Sequence, residues 1–382
     1  MRWVALLPLR GGSKSIPGKN LRSIAGRPLY AWSLQAALDS GCFDALYVAS
    51  DSAAIRADAQ ARFGARIMII GRAAENATDT ASSESVMLEF AAQVEFDVLS
   101  LIQATSPLTR AEDFRAARAS FERDALDSLL TGVELKRFFW DHAGAALNYD
   151  PAQRPRRQDF VGTVMENGAF YFTRAQLLAA TGVRLGGRIG VHVMHQECAA
   201  ELDEPGDWPV IEALLRARVV ADHDIRLLVV DVDGTLTDGG MYYDGKGEAL
   251  KKFDTRDAKG MLMLRDAGVR VCVVTAETSA VVRARMRKLG ITDYFPGVKN
   301  KLAWLEEHGA LWQIAPAQTA YIGDDLNDLE GLNVVGMSCC PADAVPEVRR
   351  AVHYVCSAAG GAGAVREVCD LIRARLTPHR EA

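Results

Sequence analysis

The sequence predicts an α/β protein made of two doubly wound, mainly parallel, three-layer domains. Three observations lead there. Short apolar strand-like runs alternate with amphipathic helical patterns from end to end, as expected of parallel strands buried on both faces beneath helices. The 382 residues exceed what one α/β unit needs and suffice for two, each with its own core. A candidate ligand motif follows the first strand of each half, and open α/β sheets bind ligands beyond the carboxyl ends of their strands.

In the first half the runs are WVALLPL (3–9), ALYVAS (45–50), ARIMII (65–70), VLSLIQA (98–104), SLLTGVEL (128–135) and GAFYF (168–172). A helical stretch, VIEALLRARVVADH (210–223), closes that half and sets the expected domains at 1–222 and 223–382. The second half supplies RLLVVDVD (226–233), RVCVVTA (270–276), TAYIGDD (319–325) and VVGMS (334–338). No internal repeat or low-complexity tract interrupts the pattern.

Composition narrows the function classes. Apolar residues make up 49% and charged residues 24%, ordinary soluble-protein usage. A net charge of −5 gives no electrostatic footprint for nucleic acid or an anionic membrane. No apolar run is long enough to span a bilayer, and WVALLPL is too short for a signal segment. The seven cysteines show no CxxC pairing and read as reduced thiols of a cytoplasmic protein, with Cys339 and Cys340 as packing residues.

The first loop, RGGSKSIPGKN (10–20), offers Gly11 and Gly12 for close backbone approach and Arg10, Lys14 and Lys19 as cations. A glycine-rich turn at a strand end can present N–H groups to an anion. It is not a Walker A loop, because Asn20 follows the Gly-Lys pair. Taken alone, such a turn is equally a plain surface loop.

Its company makes it specific. LRGGSKSIPGKN, TDTASS (78–83), QATSP (103–107), RPRRQD (154–159), ENGAFYF (166–172) and ELDEPGDWP (201–209) stand in the order found in CMP-sialic acid synthetases. The first 220 residues resemble that family, closest to its animal-type members. The resemblance implies transfer of CMP from CTP to the anomeric hydroxyl of a nine-carbon 2-keto acid sugar, with release of pyrophosphate. It implies that Arg10, Gly12, Ser13, Lys14 and Lys19 hold the CTP phosphates and that Arg72 and Ser82 line the nucleotide pocket. Negative charge builds on phosphoryl oxygens during such a transfer, so fixed cations and Mg²⁺ supply most of the catalysis.

Asp203, with Glu201 beside it, suits Mg²⁺, which prefers carboxylate ligands. An extended segment would point both side chains to one face. The family commonly has Asp where this chain has Glu201. Arginine suits the sugar carboxylate, and the family match points to Arg157 and Gln158 in RPRRQD, with Gln103, Asn167 and Phe170 as further sugar-site candidates. Bacterial synthetases tend to carry proline and arginine where this chain has Ala104 and Thr109; the animal-type enzymes also lack them.

The second half opens with DVDGTLTDG (231–239), followed by VVTAE (273–277), Lys301 and GDDLND (323–328). One DxD is weak, but four motifs on successive strand ends resemble the haloacid dehalogenase superfamily of phosphatases. The resemblance implies Asp231 as nucleophile and metal ligand. Asp233 would be the general acid/base, with its main-chain carbonyl on Mg²⁺. Thr275 and Lys301 would bind the phosphoryl group and Asp324 the metal, with Asp325 and Asp328 orienting the ligands. An aspartyl-phosphate splits a hard hydrolysis into two easier steps, and a cation lets two anionic partners approach.

Within the superfamily this half is similar to Kdo-8-phosphate and nonulosonate-9-phosphate phosphatases, on DGTLTDG, YYDGKGEALKKFDTRDAKG and GGAGAVREV. Some forty residues between Asp231 and Thr275 leave no room for a cap domain, and the Asp244-Gly245 turn predicts a hairpin flap instead. A flap alone covers a site poorly. The resemblance therefore implies a homo-oligomer, a tetramer before a dimer.

Kdo-8-phosphate phosphatases usually read TGR where this chain reads Thr275-Ala276-Glu277. Phosphatases for the nine-carbon acid KDN carry glutamate there and a lysine further along the helix. Glu277 and Lys288 match that pattern and would orient Arg285 toward the sugar carboxylate; a surface salt bridge is the plain alternative. Ala362 replaces an arginine common in the tail. The expected protein is therefore a bifunctional enzyme, taking a nine-carbon 2-keto acid 9-phosphate to the free acid and then to its CMP conjugate. Two alternatives stand: a synthetase whose second domain is an inactive oligomerisation module, and a Kdo synthetase joined to a Kdo-8-phosphate phosphatase.

Overall fold

The computed structural model describes residues 1–78, 81–221, 224–245 and 247–376. Two compact units appear, one of Met1–Ile24 with Pro28–Ile211 and the other of Ala25–Arg27 with Glu212–Ala382. The expected boundary, between Asp222 and His223, lies outside the described residues. The helix leading to it is Asp207–Ala221 and starts three residues before the sequence pattern suggested.

The first unit carries a seven-stranded mixed sheet. Its order is Met68–Ile70, Ala45–Ser50, Trp3–Leu9, Val98–Ile102, Thr163–Arg174, Ser128–Leu135, Ile189–Met194. All pairs are parallel except those of Thr163–Arg174, which runs antiparallel to both neighbours. The GAFYF run is the inner part of that long strand. The last strand, Ile189–Met194, alternates exposed and half-buried residues, so it shows no continuous apolar run in the sequence. Successive crossovers leave Trp3–Leu9 in opposite directions, to Ala45–Ser50 on one side and Val98–Ile102 on the other. The ends of these central strands are the switch point at which α/β sheets take ligands, and they deliver Arg10 and Gln103.

The second unit has a six-stranded parallel sheet in the order Tyr294–Phe295, Arg270–Val274, Leu227–Val230, Thr319–Ile322, Met337–Cys340, Tyr354–Val355. Both faces are covered. Leu228 and Val230 enter one apolar core with Met261, Val273 and Ile322, while Leu227 and Val229 enter the other with Trp304 and Tyr321. This two-residue alternation is the strand period at work. Cys339 and Cys340 fall one in each core, and all seven cysteines are buried and unbridged. A two-stranded antiparallel hairpin, Tyr242–Asp244 with Gly247–Leu250, stands apart from the sheet as expected. Among the described residues no helix is long and apolar enough to cross a membrane.

Candidate functional site

Each unit gathers its polar side chains at the carboxyl ends of its central strands. In the first unit the loop after Trp3–Leu9 folds back on itself: Asn20 Nδ2 donates to the Arg10 carbonyl at 3.0 Å, and Gly11 N–H to Asp51 Oδ1 at 2.9 Å. A Cβ on Gly11 would sit 2.9 Å from Ser52 Cβ, so the close approach needs glycine there. The loop walls a pocket of about 320 Å³ shared by Arg10, Gly12, Ser13, Lys19, Arg72, Gln103 and Asp203.

Lys19 spans this pocket. Its Nζ donates to the Leu202 carbonyl at 2.9 Å and lies 3.6 Å from Asp203 Oδ1. Burial pulls the Lys19 ammonium below its ordinary pKa, with Asp203 opposing. Arg72 Nε is buried with no hydrogen-bond partner among the described residues. An orphaned guanidinium N–H in a pocket wall costs free energy that an anionic ligand would recover. Burial first, and then the Asp203 and Glu166 charges, push the Glu201 carboxyl up to about 7.

The other expected residues fall elsewhere. Lys14 is exposed and is not among the residues that line this pocket. Ser82 caps the helix Ser83–Ala91 by accepting from Ser85 N–H, and the neighbouring Ser83 meets the pocket instead. Asn167 is fully buried, its Nδ2 donating to the Cys198 carbonyl at 2.9 Å. Phe170 is also buried, its ring 4.4 Å from that of Phe114 and 5.2 Å from that of Phe172. Arg157 and Gln158 are exposed on the excursion between Ser128–Leu135 and Thr163–Arg174. There Arg154 stacks over Phe138 at 4.6 Å. None of these four lines the pocket.

The second unit draws its residues together more tightly. Asp231 follows the central strand, Thr275 the strand on one side, and Asp324 the strand on the other. Lys301 opens the helix Lys301–Trp312, capped by Asn300. Its Nζ donates to Asp231 Oδ1 at 2.5 Å and also to Asp328. Asp231, Asp324 and Asp328 each place a carboxylate oxygen within 4.8 Å of the others. Burial, then Asp328, raise the Asp231 carboxyl well above the carboxylate range, with Lys301 opposing. Burial and Asp328 likewise push Asp324 up to about 7. For Lys301, burial works against the ammonium, but Asp231 and Asp328 outweigh it and its pKa rises.

The Asp328 oxygens are already taken. Oδ1 accepts from Lys301 and from the Tyr321 hydroxyl at 2.6 Å, and Oδ2 from the Asp324 and Asp325 amides at 3.0 and 3.2 Å. A carboxylate has about four acceptor positions, so Asp328 orients its neighbours. Thr235 Oγ1 donates to Asp324 Oδ1 at 3.1 Å and fixes that carboxylate across the loop that follows Asp231. Gly234, at φ +86°, makes the crossing possible. Thr275 is buried, and its Oγ1 accepts from the Glu277 amide at 3.2 Å.

The sequence reading missed one set of contacts. Lys251 Nζ donates to Asp233 Oδ1 and lies 3.1 Å from Glu248 Oε1, while Ser279 Oγ donates to the other Glu248 oxygen. Glu277 and Lys288, by contrast, are exposed, and among the described residues no ion pair joins them. Arg285 lies over the Phe253 ring at 5.8 Å.

Comparison with known proteins agrees with this division. The cytidylyltransferase family model matches residues 4–207, and the haloacid dehalogenase-like hydrolase model matches 287–367. N-acylneuraminate cytidylyltransferase A of Danio rerio is 34% identical over 383 residues, covering 96% of this chain and 88% of the relative. The chain belongs to the N-acylneuraminate cytidylyltransferase family and carries a phosphatase domain of the haloacid dehalogenase type. The Oncorhynchus mykiss N-acylneuraminate cytidylyltransferase is likewise 34% identical, over 96% of this chain and 88% of its own length. The phosphatase domain is similar to the 3-deoxy-D-manno-octulosonate 8-phosphate phosphatase of Yersinia pestis, 44% identical over 149 residues, which is 39% of this chain and 80% of that enzyme. The three clustered carboxyl groups and Lys301 lie in the part of the chain that matches this phosphatase.

Proposed function

We propose that this chain is a bifunctional enzyme that removes the 9-phosphate from a nine-carbon 2-keto acid sugar and then joins the free acid to CMP. The observation that carries the reading is the buried Asp231–Lys301–Asp328 arrangement with Asp324 beside it. A domain kept only for assembly has no use for a nucleophile held beside a buried ammonium, because burying such charges costs several kcal/mol per ion, of order. This argues against the inactive-module alternative.

In the first half-reaction an Asp231 oxygen bonds to phosphorus while Asp233 gives its proton to the departing sugar oxygen. Water then attacks the aspartyl-phosphate, Asp233 takes the water proton, and inorganic phosphate leaves. Lys301 and Thr275 hold the phosphoryl oxygens. The residues fit Mg²⁺: every donor is oxygen, and the crowded carboxylates whose pKa values are raised are what a cation relieves. Asp231, Asp324 and the Asp233 carbonyl would hold it, and it would neutralise the phosphate so that a carboxylate can approach.

In the second reaction the anomeric hydroxyl oxygen bonds to the α-phosphorus of CTP, its proton is lost, and pyrophosphate departs. Arg10, Lys19, Arg72 and the loop amides near Gly12 and Ser13 stabilise the spreading charge. Asp203, with Glu201, would hold a second Mg²⁺, and Arg157, Gln158 and Gln103 would select the sugar acid. The exposed Tyr242, Tyr243 and Leu250 of the hairpin favour closure by a neighbouring subunit, hence a homo-oligomer.

The 44% identity to an eight-carbon sugar phosphatase favours a second reading of the substrate, Kdo 8-phosphate. Phosphate release from KDN 9-phosphate, N-acetylneuraminate 9-phosphate and Kdo 8-phosphate with Mg²⁺, in wild type and Asp231→Asn, tests both. Turnover of a nine-carbon ester that vanishes in the variant supports the fused sequence. Preference for Kdo 8-phosphate replaces the substrate, and turnover of none with CMP transfer intact removes the first reaction.

A further inference from the structure

We propose that Lys251 is a positioning residue that fixes the Asp233 carboxyl for proton transfer, and that Glu248 of the hairpin holds Lys251 in place. The inference rests on the phosphatase reading of Asp231 and Asp233.

Lys251 is an unusual lysine. Its side chain is 1% exposed, whereas the next residue, Lys252, is 64% exposed and meets Asp238 on the surface at 3.2 Å. A buried ammonium is costly unless its donors are taken by charged acceptors. Both acceptors here are carboxylates with duties elsewhere. One is Asp233 Oδ1, on the loop that carries the nucleophile; the other is Glu248 Oε1, at 3.1 Å, on the hairpin strand Gly247–Leu250. The second Glu248 oxygen accepts from Ser279 Oγ, and Ser279 is itself the cap of the helix Ala280–Leu289, accepting from Val282 N–H at 3.2 Å. A chain of polar contacts thus runs from a helix start, through the hairpin, to the acid/base.

The chemistry explains why this matters. A general acid must bring its proton within about 2.6–3.2 Å of the leaving oxygen. An aspartate on a glycine-flanked turn has several side-chain rotamers, and only one serves. Lys251 engages Oδ1 and leaves Oδ2 for the departing sugar oxygen. Because the anchor is held from the hairpin, displacement of the hairpin releases the acid, so cover over the site and readiness of the acid are coupled.

The test uses two esters and the full-length enzyme. Attack on a sugar phosphate expels a sugar alkoxide that needs a proton, while attack on p-nitrophenyl phosphate expels a stable phenolate that does not. Lys251→Met is expected to lower kcat/KM, which reports phosphoryl transfer and not the later attack of water that both esters share, by about 100-fold on the sugar phosphate and by no more than about threefold on the aryl ester. Asp233→Asn should show the same selectivity, and the double variant should be no worse than Asp233→Asn alone, since coupled residues do not add. Glu248→Gln should give a weaker form of the same signature, and it carries the test if Lys251→Met does not fold. Equal losses on both esters, or additive losses in the double variant, overturn the positioning role while leaving the phosphatase reading in place. If wild type hydrolyses neither ester, that reading fails and takes the positioning role with it.

Discussion

Lys301 Nζ lies 2.5 Å from Asp231 Oδ1, and both side chains are almost wholly withdrawn from water. The same ammonium also meets Asp328, whose side chain is fully buried. One ammonium therefore serves two buried carboxyl groups, with Asp324 close by as a third. The proposed Mg²⁺ would relieve that crowding.

Removing that ammonium has a double consequence. Lys301→Met should lower kcat for phosphate release by about 10²–10³-fold, the usual cost of losing a fixed charge-stabilising donor. It should also destabilise the second unit by about 3–5 kcal/mol, because breaking one side of a buried pair leaves uncompensated charge. Added Mg²⁺ is expected to restore part of the loss in Tm. A variant as stable as wild type without divalent cation would show that the ammonium does not stabilise this cluster.

The two activities should separate by mutation. Lys19 and Asp231 belong to different compact units. Lys19→Ala is expected to cut CMP transfer by about 100-fold and leave phosphate release within about twofold, as independent sites do. Asp231→Asn should do the reverse. Steady-state assays of both reactions on each variant decide it; loss of both activities in either would indicate a coupling between the two sites.

How much of this is legible in the sequence depends on which residues are asked about. The Asp231–Asp233 loop, Thr275 and Asp324 are legible because each follows an apolar run, and a parallel sheet brings strand ends together whatever the loops do; Lys301 instead opens a helix. Phe170 is harder. The two-residue period separates it from Tyr171, but does not say which of the two faces meets a ligand; its ring belongs to the aromatic core with Phe114 and Phe172. Lys251 has no local signal. It lies in a run rich in lysine and glutamate, and only the return of the hairpin brings it to Asp233, 18 residues earlier in the chain. Asp328 stands between these cases: the GDDLND motif picks it out, but its four contacts are long-range or depend on a turn not specified by periodicity.

Asp257 offers a pH test away from the metal ligands. It is buried, and accepts from Arg366 N–H at 2.7 Å and Gly363 N–H at 3.3 Å. Burial raises its carboxyl above the ordinary value, and the Arg366 amide opposes without reversing the sign. The folded chain therefore holds this proton more tightly than the unfolded one. Its contribution to stability is present below the ordinary pKa of about 4 and is lost as pH rises through the raised value. Asp257→Asn keeps an acceptor but cannot ionise. The stability of the Asn variant relative to wild type should improve as pH rises from about 4 and then level off. Urea unfolding of both proteins across that range measures it, and a pH-independent difference would mean that Asp257 is not shifted.

Two glycines, one in each motif, should respond in opposite ways to a single methyl group. Gly234 has φ +86°, and a Cβ there would lie 2.0 Å from Asp324 Oδ2. Gly234→Ala forces an L residue into a left-handed conformation at a cost of about 1–3 kcal/mol. It also displaces the Asp324 carboxylate from Thr235, so phosphate release should fall by at least about 100-fold with CMP transfer retained. Gly12 has no atom within 4 Å of its would-be Cβ, yet it lines the pocket of the first unit, the proposed CTP site. Gly12→Ala should therefore leave Tm unchanged while raising KM for CTP, because the methyl group enters space that a phosphate needs. Thermal unfolding and CTP titration of the two variants read both effects. If Gly12→Ala binds CTP as wild type does, the phosphates do not pass this close to the loop backbone, and their contacts come from the side chains of Arg10, Lys19 and Arg72 instead.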